Sequence, residues 1–359
     1  MSTLISQMEQ AIQSYIEPHL GVDLMMAKSV KVTIEDQRAS VCVTLGFPNR
    51  SIAAQIKQAI EERLRNISQL KDIDIQINTD ILSHAVQQGL SGIPGVKNII
   101  AVASGKGGVG KSTVAVNLAL ALQQEGATVG LLDADIYGPS QPHMLGATTQ
   151  PQVENNKMIP VSAYGLQTMS IGYLLEQSDT PMIWRGPMVT SALQQLLLET
   201  AWQEVDYLII DLPPGTGDIQ LTMAQKIPVS GGVIVTTPQD IALLDARKGL
   251  RMFQKVNTPV LGIIENMAVY QCPHCGQQQM IFGQEGGEKI AQEYNVRLLG
   301  QLPLHQQIRE QTDGGQPTVA AEPAGELAQL FREIALAMSA QLALQAKNYA
   351  VKFPKIVVE

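Results

Sequence analysis

The stretch Gly105-Lys106-Gly107-Gly108-Val109-Gly110-Lys111-Ser112-Thr113 constrains this chain more than any other. It follows an apolar run, Asn98 to Ala103, that reads as a buried strand. It precedes Val114 to Gln124, which reads as a helix. Gly105 to Ser112 has the spacing Gly-x-x-x-x-Gly-Lys-Ser, and strand, glycine loop and helix together are the context a phosphate-binding loop needs. Glycines let the backbone take positive φ and approach an anion closely. Successive N–H groups then point into one concavity, and the helix adds the positive end of its dipole. In this reading Lys111 reaches the β- and γ-phosphates of a nucleotide, Ser112 offers its hydroxyl to Mg²⁺, and Thr113 bonds an α-phosphate oxygen. A glycine-rich turn with no ligand is the plainer alternative; the full string in this context argues against it.

At 359 residues the chain is long enough for a large core plus a smaller domain. Hydrophobic residues make up 45% and charged residues 16%, a globular rather than a disordered balance. The net charge of −8 argues against broad binding to a nucleic-acid backbone. No apolar run reaches the length of a membrane span, and the N-terminus lacks a signal-peptide pattern. Three cysteines, Cys42, Cys272 and Cys275, are too few for a disulfide framework, so a cytoplasmic protein is expected, without a membrane or nucleic-acid partner.

Residues 1–80 are expected to form a small α/β domain of order α-β-β-α-β. Leu4 to Ile16 and Ile52 to Ile67 have helical spacing. Val30 to Ile34, Val41 to Leu45 and Ile73 to Ile77 alternate as half-buried strands. Residues 81–96 read as a linker, with a short helix at Ile81 to Gln88. From residue 97 to 346 apolar strands alternate with helices, the pattern of a mainly parallel sheet covered on both faces. Residues 347–359 are left as a tail. Open sheets of this kind bind ligands beyond the carboxyl ends of their strands. The phosphate loop lies there, together with Asp133-Ala134-Asp135 and Asp211-Leu212-Pro213-Pro214-Gly215. Asp211, ending an apolar strand, is expected to hold Mg²⁺. The rigid Pro213-Pro214-Gly215 reads as a switch whose backbone senses the γ-phosphate.

Cys272-Pro273-His274-Cys275-Gly276 is the second informative feature. Two thiolates three residues apart suit one soft metal centre, but one pair cannot complete a four-sulfur site. A two-fold dimer supplies the missing pair. Three readings stand: an iron–sulfur cluster bridged between subunits, a structural zinc, and a redox dithiol. The last is the weakest, because dithiol motifs of that kind start a helix in a βαβ unit.

An ordinary phosphate loop does not require Lys106, whose plainer reading is a solvated loop lysine. Lys-Gly-Gly-x-Gly-Lys-Ser resembles the deviant loop of the MinD/ParA and nitrogenase-iron-protein class. The resemblance implies that Lys106 reaches the partner's nucleotide across an ATP-linked homodimer. It also implies that Asp133 and Asp135 sit in the first switch, with Asp135 positioning the attacking water and Asp133 acting near Mg²⁺. By the same likeness Asn266 and Pro303, each following a strand, read adenine. Asp133 to Ser140, Trp184-Arg185-Gly186-Pro187-Met188, Asp211 to Asp218, Thr236 to Asp240, Glu265-Asn266-Met267 and the cysteine pair recur in the order seen in the Mrp/ApbC family of iron–sulfur cluster carrier ATPases. That resemblance covers roughly residues 90–340. It implies a P-loop NTPase fold and slow ATP hydrolysis. It also implies a 4Fe-4S cluster held between two copies by Cys272 and Cys275 of each, received from cluster donors and passed to apo-proteins. The first domain resembles iron–sulfur assembly domains, with Gly21-Val22-Asp23-Leu24 where that pattern has Asp-Pro-Glu; docking of clients is the role expected of it. The rival reading is a MinD/ParA-like positioning ATPase with a structural zinc at the cysteines. Against it, the terminal helix carries Leu327, Leu330, Phe331, Ile334 and Met338 but few basic residues, the pattern of a helix packed on a core rather than a membrane.

Overall fold

The computed structural model describes residues 2–35, 38–65, 67, 72–175 and 186–348. The turn at 36–37, the Trp184-Arg185 pair and residues 349–359 lie outside them. The first unit comprises α1 (Ser2–Gln13), β1 (Val30–Glu35), β2 (Arg38–Leu45), α2 (Ala53–Leu64) and β3 (Asp72–Thr79). β1 pairs antiparallel with β2, and α2 crosses over so that β3 pairs parallel with β2. Val41, Val43 and Leu45 face the two helices and are fully buried, whereas Cys42 points to the other face beside Thr44 and Asn78. The alternation visible in the sequence is therefore the burial pattern of a sheet with one covered face.

The second unit runs through β4 (Val96–Ala103), α3 (Lys111–Gln124), β5 (Val129–Asp133), α4 (Gln141–Met144), β6 (Val153–Glu154), β7 (Lys157–Met158), β8 (Val161–Ala163) and β9 (Leu166–Ser170). It continues with α5 (Gly186–Leu198), β10 (Val205–Asp211), α6 (Asp218–Lys226), β11 (Gly231–Thr236), α7 (Asp240–Lys255), β12 (Val260–Glu265), β13 (Tyr270–Gln271) and β14 (Gln278–Gln279). It closes with α8 (Gly286–Tyr294), β15 (Leu298–Gln301), α9 (Gln306–Asp313), α10 (Thr318–Ala321) and α11 (Glu326–Ala343). The main sheet has the order β15-β12-β11-β4-β10-β5-β9-β8, parallel throughout except for β8 at one edge. β4, β10 and β11 are almost wholly buried apolar runs, because helices cover both faces. α3 is buried from Val114 to Leu122 and packs against α11.

One expectation needs correction. No helix forms at Ile81 to Gln88; the segment is an extended strap. Its polar groups bond across to the core rather than along their own chain. The His84 N–H donates to Asn98 Oδ1 and the Ala85 N–H to the Ala346 carbonyl. The Gln87 amide donates to the Ala224 carbonyl and accepts from the Val229 N–H. Within 150–175, a stretch that reads as irregular apart from short strands around Ile159 and Met169, the strand around Met169 is β9, which joins the main sheet beside β5.

The two units share a wall. Phe331, Ile334, Ala335 and Met338 of α11 lie in the core around α3, while Leu336 and Ala340 complete the core of the first unit. At the rim, His19 bridges Glu17 and Glu333 at 2.8 Å each, and Ser51 N–H donates to Glu125 at the end of α3. Among the described residues no helix is long and apolar enough to cross a membrane.

Candidate functional site

The phosphate loop spans the gap between β4 and α3. Gly108 and Gly110 take φ of 81° and 80°, which turns successive N–H groups inward and sets Gly110 as the N-cap of α3. Gly105 is required for another reason: a Cβ there would meet the Asp245 backbone at 2.2 Å, so the loop lies directly on α7. Ser112 and Thr113 are half-buried at the first turn of α3, and the Thr113 carbonyl accepts from Asn117. Val109 is buried beneath the loop, whereas Gly107 and Gly108 are exposed.

Sheet register brings the carboxylates to this loop. Asp211 on β10 stands opposite Val102 on β4 and Asp133 on β5. Lys111, 6% exposed, hydrogen-bonds Asp211 Oδ1 and lies 3.2 Å from Ser112 Oγ. The buried Gln141 side chain donates to Asp211 Oδ2 at 2.9 Å and to the Ser112 carbonyl at 3.1 Å. Asp133 is fully buried. Its Oδ1 accepts from the Asp135 N–H, and its Oδ2 from the Ser140 and Gln141 N–H groups and the Ser170 hydroxyl. Burial and the nearby Asp211 push the Asp133 carboxyl up to about 7, against the pull of the Gln141 and Asp135 N–H groups. Asp135 is half-buried; burial raises its pKa, and Lys111 opposes the rise. The second switch is tied to the loop, since the Gly215 N–H donates to the Ser104 carbonyl at 3.0 Å.

Asp133 and Asp135 differ in exposure, the first fully buried and the second half-buried. Asp133, expected near Mg²⁺, lies beside Asp211, and its carboxylate accepts from the loop 135–141 and Ser170. Asn266, expected at adenine, lies under the loop. Its Nδ2 donates to the Val109 carbonyl at 2.8 Å, and its Oδ1 accepts from the Met267 N–H. Pro303 lines a groove of about 750 Å³ shared with Gln271 and Gln278, the residues flanking the cysteine turn. Lys106 is half-buried and reaches Gln239 Oε1 at 3.4 Å, at the N-cap of α7. Gln141, Ser170 and Gln239 were not singled out from sequence. Gln239 left a trace there within the Thr236–Asp240 motif, and Gln141 as the residue following the Asp133–Ser140 stretch.

The cysteines sit at the tip of the β13–β14 hairpin. The Cys272 N–H donates to the Gln277 carbonyl and the Gly276 N–H to the Cys272 carbonyl, both at 2.9 Å, with Gly276 at φ 72°. This tight turn presents both thiols outward; Cys275 is exposed and Cys272 half-buried. The Cys275 and His274 backbone N–H groups, with the Cys275 thiol, hold the Cys272 thiol below the ordinary range, favouring a thiolate. Among the described residues no group of three or more His, Cys, Asp or Glu side chains converges to hold a metal. The hairpin base is anchored to the exit of β15 by the Leu304 N–H donating to the Val269 carbonyl at 2.8 Å.

The model of the NUBPL iron-transfer P-loop NTPase family matches residues 95–339. The chain belongs to this family. A second family model, that of an iron–sulfur cluster assembly protein, matches residues 5–77 despite the Gly21–Leu24 departure. This NUBPL-family member is 51% identical over 340 residues to an iron–sulfur cluster carrier protein of Haemophilus influenzae, covering 94% of this chain and 92% of that one. It is also 51% identical over 263 residues to the iron–sulfur cluster transfer protein NUBPL of Mus musculus, covering 72% and 82%. A nucleotide-binding protein of Archaeoglobus fulgidus, solved in complex with ADP, superposes with a TM-score of 0.58 at 37% identity, covering 66% of this chain and 92% of that one. The fold and family expected from the motifs are thereby met.

Proposed function

We propose that this chain is an ATP-dependent iron–sulfur cluster carrier, acting as a cytoplasmic homodimer. The cysteine hairpin carries the proposal: two outward thiols on one tight turn, with no further ligand beside them among the described residues. A second copy related by a two-fold axis completes four sulfurs, enough for a 4Fe-4S cluster. Such a cluster is cargo, held at a surface where a cluster donor or an apo-protein can reach it. The names of the Haemophilus and mouse relatives support the same role. The surface near Lys106 suits a second copy. Ile241 and Leu244, just past Gln239, are 69% and 57% exposed, and Met280 and Ile281, just past the hairpin, are 54% and 52% exposed.

ATP enters with its phosphates against the loop N–H groups. Lys111 leaves Asp211 for the β- and γ-phosphates, and Lys106 exchanges Gln239 for the nucleotide held by the other copy. Ser112 Oγ and the Asp211 carboxylate form a hard oxygen donor set that fits Mg²⁺, which when bound neutralises charge on the phosphate oxygens. Asp135 positions the attacking water. The water oxygen bonds to the γ-phosphorus as the bond to the bridging oxygen breaks, giving ADP, phosphate and a proton. Positioning and charge neutralisation carry most of this catalysis, so no strong base is needed. Turnover is slow, because a carrier needs a long-lived ATP state.

The test is iron, acid-labile sulfide and zinc per dimer on anaerobically purified protein, beside a Cys272→Ala/Cys275→Ala variant. Iron and sulfide in matching amounts, lost in the variant, are expected. The tight turn between two short strands also favours a second reading, a zinc knuckle. Zinc without sulfide, even after cluster reconstitution, would establish that reading and overturn the carrier.

A further inference from the structure

Gln141 is the one side chain at the nucleotide site that the reading above leaves without a task. It is 1% exposed, on the first residue of α4. Its amide orientation is unambiguous, because both partners of Nε2, the Asp211 carboxylate and the Ser112 carbonyl, can only accept. The carbonyl end, Oε1, is therefore a defined acceptor, and it is buried with no hydrogen-bond partner. A buried unsatisfied acceptor costs about 1–3 kcal/mol, and so asks for an explanation.

The surroundings supply one. Both oxygens of Asp211 are engaged, Oδ1 by Lys111 and Oδ2 by Gln141. When Lys111 turns to the phosphates, Oδ1 is freed and only Gln141 still orients the carboxylate. Gln141 is in turn rigidly placed, since its own N–H is held by Asp133 at 3.0 Å. The same amide touches the carbonyl of Ser112, the other residue suited to Mg²⁺. Two candidate ion ligands, on different elements, are thus joined through one side chain of the first switch.

We propose that Gln141 is a positioning residue for the Mg²⁺-bound nucleotide: it holds Asp211 in register with Ser112 once Lys111 has left, and its unpaired Oε1 accepts from the hydration shell of the ion. This rests on the nucleotide-site reading above and assigns to Gln141 the link between the ion and the first switch. It predicts that Gln141 matters for nucleotide bound with Mg²⁺ and hardly at all for nucleotide bound without it. A residue that only packs affects both equally.

The experiment is titration of full-length protein with a fluorescent ATP analogue, in Mg²⁺ and in EDTA, for the parent, Gln141→Leu and Gln141→Glu. Loss of one hydrogen bond to a charged group predicts an affinity loss on the order of tenfold for Gln141→Leu in Mg²⁺, and less than about twofold in EDTA. Gln141→Glu keeps the size and an acceptor but sets a second anion beside Asp211, so its affinity depends more steeply on Mg²⁺ than the parent's. If Gln141→Leu fails to fold, the Gln141→Glu titration decides alone. Variants that change affinity by the same factor with and without Mg²⁺, or not at all, overturn the inference while leaving the nucleotide site intact. A parent that binds no nucleotide overturns the site reading and this inference with it.

Discussion

The phosphate loop and the cysteine hairpin are built on opposite plans. The loop is the more enclosed: Lys111 is buried and paired with Asp211, Asp133 is buried and bonded, and β4, α3 and α7 hold the loop. The hairpin is open: two short strands of two residues each carry it, and its thiols face outward. An enclosed site has most of its ligand-binding groups in place within one chain, with Lys106 the group that the proposal above gives to a second copy. An open pair is half of something, and its missing partners must arrive from outside. The two are nevertheless joined by a short piece of chain. Asn266 holds the loop at Val109, and β13 of the hairpin begins at Tyr270.

The comparison breaks most sharply at Lys111. Lys111→Ala removes the counter-charge of a fully buried Asp211, a change that typically costs about 3–5 kcal/mol. Urea unfolding should register that loss, and nucleotide binding should disappear, while reconstituted iron at the hairpin is retained. Loss of iron together with nucleotide would show that the hairpin is not independent of the loop.

Lys106→Ala is the intermediate case. Among the described residues the Lys106 side chain hydrogen-bonds only Gln239, so the change should leave folding and single-chain nucleotide binding within about 0.5 kcal/mol of the parent. ATP-dependent dimerisation, followed by sedimentation, should be lost. Dimers that persist with ATP would remove Lys106 from the interface.

The smallest effect lies within the hairpin. Cys275 is the more exposed thiol, yet Cys272 is the one held below the ordinary range by backbone N–H groups. The turn therefore favours the Cys272 thiolate near neutral pH, and iodoacetamide should label Cys272 first in metal-free protein. Mass spectrometry that finds Cys275 labelled first would make exposure, not the turn, the controlling factor.

What was readable in the sequence follows the same division. The loop and Asp211 were legible because their chemistry is written in contiguous motifs on strand ends. The cysteine turn was legible from spacing alone. Gln141 and Ser170 were not, because their meaning depends on Asp133 lying beside Asp211, a pairing made by strands far apart in the chain. Asn266 was placed by analogy at the base, and its hydrogen bond to Val109 is a long-range fact that no local pattern encodes. The strap at 81–88 looked helical for a related reason: its polar groups find partners across the fold, and local periodicity is silent about such partners.

The helix α11 deserves a last thought for what it forbids. One side of it belongs to the nucleotide-binding core and the other to the small first unit. Cutting the chain between the units would strip Leu336 and Ala340 of their cover and leave a sticky seam on the larger fragment. One calorimetric unfolding transition is therefore expected for the two units rather than two in succession. A shortened version of this protein is a differently surfaced molecule, not the same engine with an accessory removed.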